Sequence, residues 1–281
     1  MMREINVNEI TDNLEDMCIE AAHYLTDDMK DCLYRAEKNE ESPLGKQILQ
    51  QLEENLDIAG KDMIPVCQDT GMAVVFAKIG QDVHFTGGSL ENAINEGVRR
   101  GYTNGYLRKS VVSDPIIREN TKDNTPAVIH YEIVPGDKVK LTLAPKGFGS
   151  ENMSRIYMLK PADGIEGVKE AILNAVSEAG PNACPPMVVG VGIGGTFEKC
   201  AIMAKKALTR PVDKRSDIGY IADLEEEMLE KINKLGIGPG GLGGSTTAFA
   251  VNIETYATHI AGLPVAVNIC CHVNRHSVRI I

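Results

Sequence analysis

The sequence predicts a mixed α/β fold: a helical N-terminal region, then mixed sheets flanked by helices, with the chemistry placed in loops. Three observations carry this. Apolar residues recur at helical spacing through the first 60 positions, short β-branched runs bounded by Gly and Pro come next, and these runs alternate with amphipathic segments. Residues 7–37 hold Ile10, Leu14, Met17, Cys18, Ala21, Ala22 and Leu25 on one face with no Gly or Pro between them, which predicts helix; Cys18 and Cys32 fit there as small buried hydrophobes. Ser42-Pro43 opens a second helix through Ile48, Leu49, Leu52 and Leu56, ending at Gly60, because proline early in a helix loses no needed N–H.

Met72 to Ile79 is a short apolar run that reads as a buried strand, and Ser89 to Thr103 returns to helical spacing. Val128 to Val134 and Lys138 to Leu143, joined by Pro135-Gly136-Asp137, predict a hairpin. Beyond it, Gly164 to Ala179, Phe197 to Leu208 and the acidic stretch Asp217 to Leu235 predict helices, and Met187 to Val191, Thr246 to Ile253 and Pro264 to Ile269 predict strands. No repeat or low-complexity linker appears, so residues 1–281 read as one domain with a helical subregion 1–60. The loop Gly236 to Gly244 reads as part of a site, since structured patterns flank it on both sides.

With 29 Lys and Arg against 39 Asp and Glu, the net charge of -10 and the lack of a basic block argue against nucleic-acid or anionic-membrane partners. No apolar run is long enough for a bilayer span, and the first residues lack the apolar core of a secretory signal. Seven cysteines in such a chain suit reduced thiols or metal ligation better than a disulfide framework, which predicts a cytoplasmic protein.

Three thiols stand in separate loop-like contexts: Cys67 in Val-Cys-Gln-Asp-Thr-Gly, Cys184 in Asn-Ala-Cys-Pro-Pro, and Cys271 in Cys-Cys-His-Val-Asn-Arg-His. Ligands so far apart in sequence are not a local zinc chelate, but they are able to converge on an iron-sulfur cluster with one iron left open. Each context has a plainer reading. Asp69 beside Cys67 serves equally as a turn cap, the prolines around Cys184 as a rigid connection, and the terminal segment as a polar tail or, through His272 and His276, as a zinc pair on a helix.

Four further features bear on function. Pro145 to Asn152, with Lys146, Gly147, Gly149 and Ser150, reads as an anion cradle or as a turn after a strand. Gly190, Gly192 and Gly195 match G-x-G-x-x-G, yet the acidic residue expected after a second strand is missing, so close strand–helix packing is the better reading. Arg108 and Arg118 are candidate carboxylate forks or surface ion pairs. His259 sits in an apolar sequence context and reads as a satisfied core histidine.

The order of Val66–Gly71, Leu107–Val112, Pro145–Asn152, Ala183–Pro186 and Cys271–His276 resembles the α subunit of two-component class I fumarases and L-tartrate dehydratases over nearly the whole chain. That resemblance implies an oxygen-labile [4Fe-4S] hydro-lyase whose cluster is held by Cys67, Cys184 and Cys271. Cys271 is chosen over Cys270 because the family's third ligand precedes an Arg-His pair by that phase. It further implies catalytic roles for Asp69 and His259, and substrate contacts at Gln68, Arg108, Gly149 and Ser150. The expected reaction is reversible hydration of fumarate to L-malate, the alternative being dehydration of L(+)-tartrate to oxaloacetate. The implied partners are a separate β subunit, in an α2β2 assembly, and a small dicarboxylate. An NAD-dependent oxidoreductase and a non-catalytic zinc-binding protein are the competing classes.

Overall fold

The computed structural model describes residues 2–281. In chain order its elements are β1 (Arg3–Asn6), α1 (Val7–His23), α2 (Asp27–Asn39), α3 (Pro43–Asp62), β2 (Met72–Gly80), β3 (Val83–Thr86), α4 (Leu90–Asn104), β4 (Val128–Val134), β5 (Val139–Lys146), the single turn α5 (Phe148–Glu151), β6 (Arg155–Leu159), α6 (Gly164–Ala179), β7 (Met187–Gly194), α7 (Phe197–Ala207), α8 (Gly219–Asn233), β8 (Ala248–Tyr256), β9 (Leu263–Cys270) and β10 (Ser277–Ile280). The mixed α/β expectation holds. The predicted helix over 7–37 is two helices: Tyr24 turns extended at φ -129, ψ 137 while its N–H still bonds Glu20, and Asp27 restarts the helix. No Gly or Pro marks that break.

The chain forms two compact units, each built from separated segments. Unit 1 takes residues 2–25, Leu56–Phe148 and Arg275–Ile281; unit 2 takes Thr26–Asn55 and Gly149–Asn274. Two of the crossings, after Phe148 and after Asn274, fall inside sequence motifs singled out above.

In unit 1 the four-stranded sheet runs β10-β5-β2-β4. The predicted hairpin is not formed, because β2 lies between its two arms: β4 pairs with β2 in parallel, Val74 beside Val128, and β5 pairs with it antiparallel, Val75 beside Leu143. β2 is buried along almost its whole length and takes hydrogen-bond partners on both edges, whereas the largely exposed β4 suits the rim. The Pro135–Asp137 connection wraps the end of β2, where a Cβ on Gly80 would meet the Gly136 carbonyl at 2.3 Å. Ile10, Leu14 and Met17 of α1 and Ile94, Val98 and Tyr102 of α4 pack against β2 and β5. Each such fully buried aliphatic contributes about 1.5–3 kcal/mol. Ser89 caps α4 through the Asn92 N–H.

Unit 2 is built on the sheet β6-β9-β7-β8. Val189 and Val191 of β7, with Val265, Val267 and Ile269 of β9, face α6 and α8. On the other face α7 lies directly on the backbone of β7: a Cβ on Gly190 or Gly192 would sit 2.1 Å from the carbonyl oxygens of Ala204 and Cys200. The G-x-G pattern is therefore close strand–helix packing, as the missing acidic residue predicts. Among the described residues no helix is long and apolar enough to cross a membrane.

Candidate active site

In unit 1, Cys67 and Gln68 lie in an irregular segment between α3 and β2, with Cys67 half-buried and Gln68 exposed. Asp69 fastens this segment to its surroundings. Its Oδ1 accepts from the Gly71 N–H at 3.0 Å and its Oδ2 from the Phe148 N–H at 2.8 Å, so the turn cap foreseen for Asp69 is present. Gly71, at φ +79, fits because a Cβ there would meet Lys146 backbone at 2.8 Å. The buried Tyr102 hydroxyl donates to the carbonyls of Thr70 (2.7 Å) and Gly71 (3.1 Å). Asn124, fully buried, donates to Gly71 and accepts from the Ser110 N–H at 2.8 Å, while Thr70 Oγ1 donates to the Arg108 carbonyl at 2.8 Å. This ties the Arg108 backbone to the Cys67 loop and leaves its guanidinium exposed. Arg118 sits in a separate exposed turn capped by Asp114.

Arg275 completes that arrangement. Only 4 % exposed, it donates through Nη2 to the Asp69 carbonyl and through Nε to the Pro145 carbonyl. Tyr102, Asn124 and Arg275 were missed as site-building residues by sequence reasoning. Only Arg275 carried a signal, as a cation within the terminal thiol–imidazole cluster.

In unit 2, α6 ends at Gly180 and a short 3-10 turn delivers Cys184, exposed, at φ 51, ψ 64. The Cys184 carbonyl accepts from the His272 N–H at 3.3 Å and from His272 Nδ1 at 3.1 Å, which joins the Cys184 and Cys271 loops and puts the ring proton on Nδ1. Residues 271–276 contain no helix, so the helical zinc pair of His272 and His276 is not formed. The Gly236–Gly244 loop packs on the Cys184 loop: Gly240 N–H donates to the Pro185 carbonyl at 2.9 Å, and a Cβ on Gly241 would lie 2.3 Å from Pro181 Cβ. Glu40 anchors the far side of this loop, accepting from the N–H groups of Ser42, Ser245 and Thr246. Burial alone would raise its pKa, but those donors hold it below the ordinary glutamate value.

Cys270 is buried at the end of β9, and Cys271 comes just outside the strand, half-buried. A hydrogen bond with the Cys270 thiol, then burial, pushes the Cys271 thiol well above its usual range. Gly149 lies beside the Cys184 segment, an added Cβ standing 3.9 Å from the Asn182 carbonyl; the neighbouring Ser150 is buried. Glu151 pairs with Lys205 and accepts from Asn268 Nδ2 at 3.1 Å.

His259 is placed elsewhere. It lies in the exposed turn between β8 and β9, its Nδ1 accepting from the Ala261 N–H at 3.2 Å, so it is not the core histidine that its sequence context suggested. Thr258, its neighbour, donates to the Gly195 carbonyl just past the end of β7, whereas Cys184 precedes the start of β7. Along eight residues of strand these ends stand about 25 Å apart. A cleft of about 440 Å³ beside His259 is lined mainly by apolar groups, among them Ile165, Tyr220 and Ile260.

Unit 2 thus gathers Cys184, Cys271, Gly149 and Ser150 at one end of its sheet and holds His259 at the other; unit 1 gathers Cys67, Gln68, Asp69 and Arg108. Among the described residues no three His, Cys, Asp or Glu side chains are grouped to hold a single metal ion. A cubane is gripped differently, each thiolate binding its own iron. All seven cysteines are free thiols, and in unit 1 Arg275 offers a buried Nη1 with no hydrogen-bond partner, a setting that suits an anionic group.

A sequence profile described as fumarate hydratase (fumerase) matches residues 11–279. A Methanocaldococcus jannaschii protein provisionally named L(+)-tartrate dehydratase subunit alpha is 43% identical, over 96% of this chain and 97% of that protein. The L(+)-tartrate dehydratase subunit alpha of Escherichia coli strain UTI89 is 33% identical over 98% of this chain and 93% of its own length, and that of strain K12 is 32% identical over the same shares. The chain belongs to the fumarate hydratase (fumerase) family.

Proposed function

We propose that this chain is the cluster-bearing α subunit of a hydro-lyase that interconverts fumarate and L-malate, with Cys67, Cys184 and Cys271 holding a [4Fe-4S] group. The observation that carries it is the mounting of Cys184 and Cys271 on two loops joined at the Cys184 carbonyl, within a chain matched to its family from residue 11 to residue 279. When bound, the cluster supplies a Lewis-acidic iron that makes a substrate hydroxyl a better leaving group.

The chain's own groups do the rest. The exposed Arg108 guanidinium matches a carboxylate as a two-pronged donor, while the Gln68 amide and the backbone at Gly149 and Ser150 offer further hydrogen bonds. Asp69, held by two backbone donors, is oriented to carry a proton for the departing oxygen. A catalytic part for His259 requires its delivery from a second copy of the chain, since its own sheet holds it far from Cys184. A separate β subunit supplies the remaining carboxylate-binding cations and the base, in a cytoplasmic α2β2 assembly.

Dehydration of L(+)-tartrate is the second reading. It is favoured by the names of the relatives, which are tartrate dehydratase α subunits. Anaerobic co-expression with the β subunit, then assay with malate, fumarate and both tartrate enantiomers, decides between them. Turnover of malate and fumarate is the expected result, turnover of L(+)-tartrate alone selects the second reading, and an iron-loaded complex inert toward all four overturns both.

A further inference from the structure

Arg275 is a permanently charged group taken almost wholly out of water, at 4 % exposure. Burial of a guanidinium costs several kcal/mol unless charge and hydrogen bonds compensate it. Two neutral carbonyls, of Asp69 and Pro145, take up Nη2 and Nε. Nη1 is buried without a partner, and among the described residues no carboxylate forms an ion pair with Arg275. Two other arginines of the chain do find carboxylates. Arg210 meets both Glu225 and Glu254, and the half-exposed Arg155 meets Glu178. The nearest carboxylate along the loop, on Asp69, already accepts from two backbone N–H groups.

A buried cation with a spare donor calls for a resident anion. An exchanging dicarboxylate suits an exposed cation such as Arg108, which solvent stabilises when the site is empty. Arg275 has no such relief, and its Nη2 bond to Asp69 holds it two residues from Cys67. We infer that Arg275 is the counter-cation of the iron–sulfur group, with Nη1 donating to a sulfur of the cluster or to the Cys67 thiolate. This rests on the cluster reading above. In this role Arg275 is a positioning and tuning residue: its charge and hydrogen bond favour the more negative, reduced cluster, raising the potential.

The test uses anaerobically prepared, cluster-loaded αβ complex of the wild type, Arg275→Met and Arg275→Lys, with iron and sulfide counted and the one-electron cluster potential measured by spectroscopic titration without substrate. The expected result is a tenfold shift of the reduction equilibrium toward the oxidised cluster in Arg275→Met, about 59 mV for one electron. Arg275→Lys, which keeps the charge, stays nearer the wild type, and the neutral Arg275→Gln, prepared alongside, carries the measurement if the methionine variant does not fold. An unmoved potential in a loaded neutral variant overturns the inference and leaves Arg275 a clamp on two carbonyls. A raised KM with an unmoved potential overturns it in favour of the dicarboxylate as the anion. A wild-type complex lacking iron and sulfide overturns the cluster reading itself.

Discussion

The loops that present Cys67 and Cys184 are fastened by opposite means. Around Cys67 the work is done by side chains, Asp69, Tyr102, Asn124 and Arg275, which reach the backbone from distant parts of the sequence. Around Cys184 it is done largely by backbone, with Pro181 and Pro185 stiffening the chain, the Gly240 N–H bonding the Pro185 carbonyl, and Gly241 approaching Pro181 too closely for any side chain. A side-chain fastening weakens in steps as single bonds are removed. A backbone lock has no such gradation, because an added methyl group meets atoms that cannot rotate away.

The largest effect is therefore expected at Gly241. Its φ of +74 and the 2.3 Å approach to Pro181 make Gly241→Ala strained on two counts, with an expected loss of about 3 kcal/mol. Chemical denaturation measures it, and a loss under about 1 kcal/mol would mean that the loop yields easily and the contrast is false. Glu40→Ala comes next. It removes the acceptor of three backbone N–H groups, and an expected loss of about 2–3 kcal/mol is typical of charged hydrogen bonds of this kind.

The pH dependence of that contribution has a definite sign. The folded pKa of Glu40 is depressed, so its stabilisation is fully present above the ordinary glutamate value of about 4.5 and is lost as pH falls through the lower folded value. Stability curves of wild type and Glu40→Gln should converge on acidification, and parallel curves would contradict the assignment. Tyr102→Phe is smaller, about 1–2 kcal/mol, because Gly71 retains Asn124 while only Thr70 loses its donor. Arg108→Ala is smallest in stability, within about 0.5 kcal/mol for an exposed side chain. Its expected signature is instead a KM for the dicarboxylate raised about tenfold or more, and an unchanged KM removes Arg108 from the site.

The same contrast explains how much was legible in the sequence. Proline and glycine announce local geometry wherever they stand, so the rigid Cys184 segment, the glycine loop and the close packing of Gly190 and Gly192 were all readable. The strands β2, β7, β8 and β9 were readable as apolar runs. The partners of a strand are not written in its own residues, which is why β4 and β5 looked like a hairpin until β2 took the place between them. The short strands β1, β3, β6 and β10 carry too few apolar positions to declare themselves. Tyr102 looked like helix core, which it is, and nothing local tells that its hydroxyl closes the loop after Cys67. His259 shows the converse: an apolar sequence context that proves to be an exposed turn.

The proposed role of Cys67, Cys184 and Cys271 is to hold an iron–sulfur group. Its most direct test is iron and acid-labile sulfide per chain in anaerobically purified αβ complex, wild type beside Cys184→Ser. About four of each in a brown wild type, and a colourless, inactive variant with intact fold, is the predicted result; a colourless wild type, or a variant that keeps both colour and full activity, contradicts it.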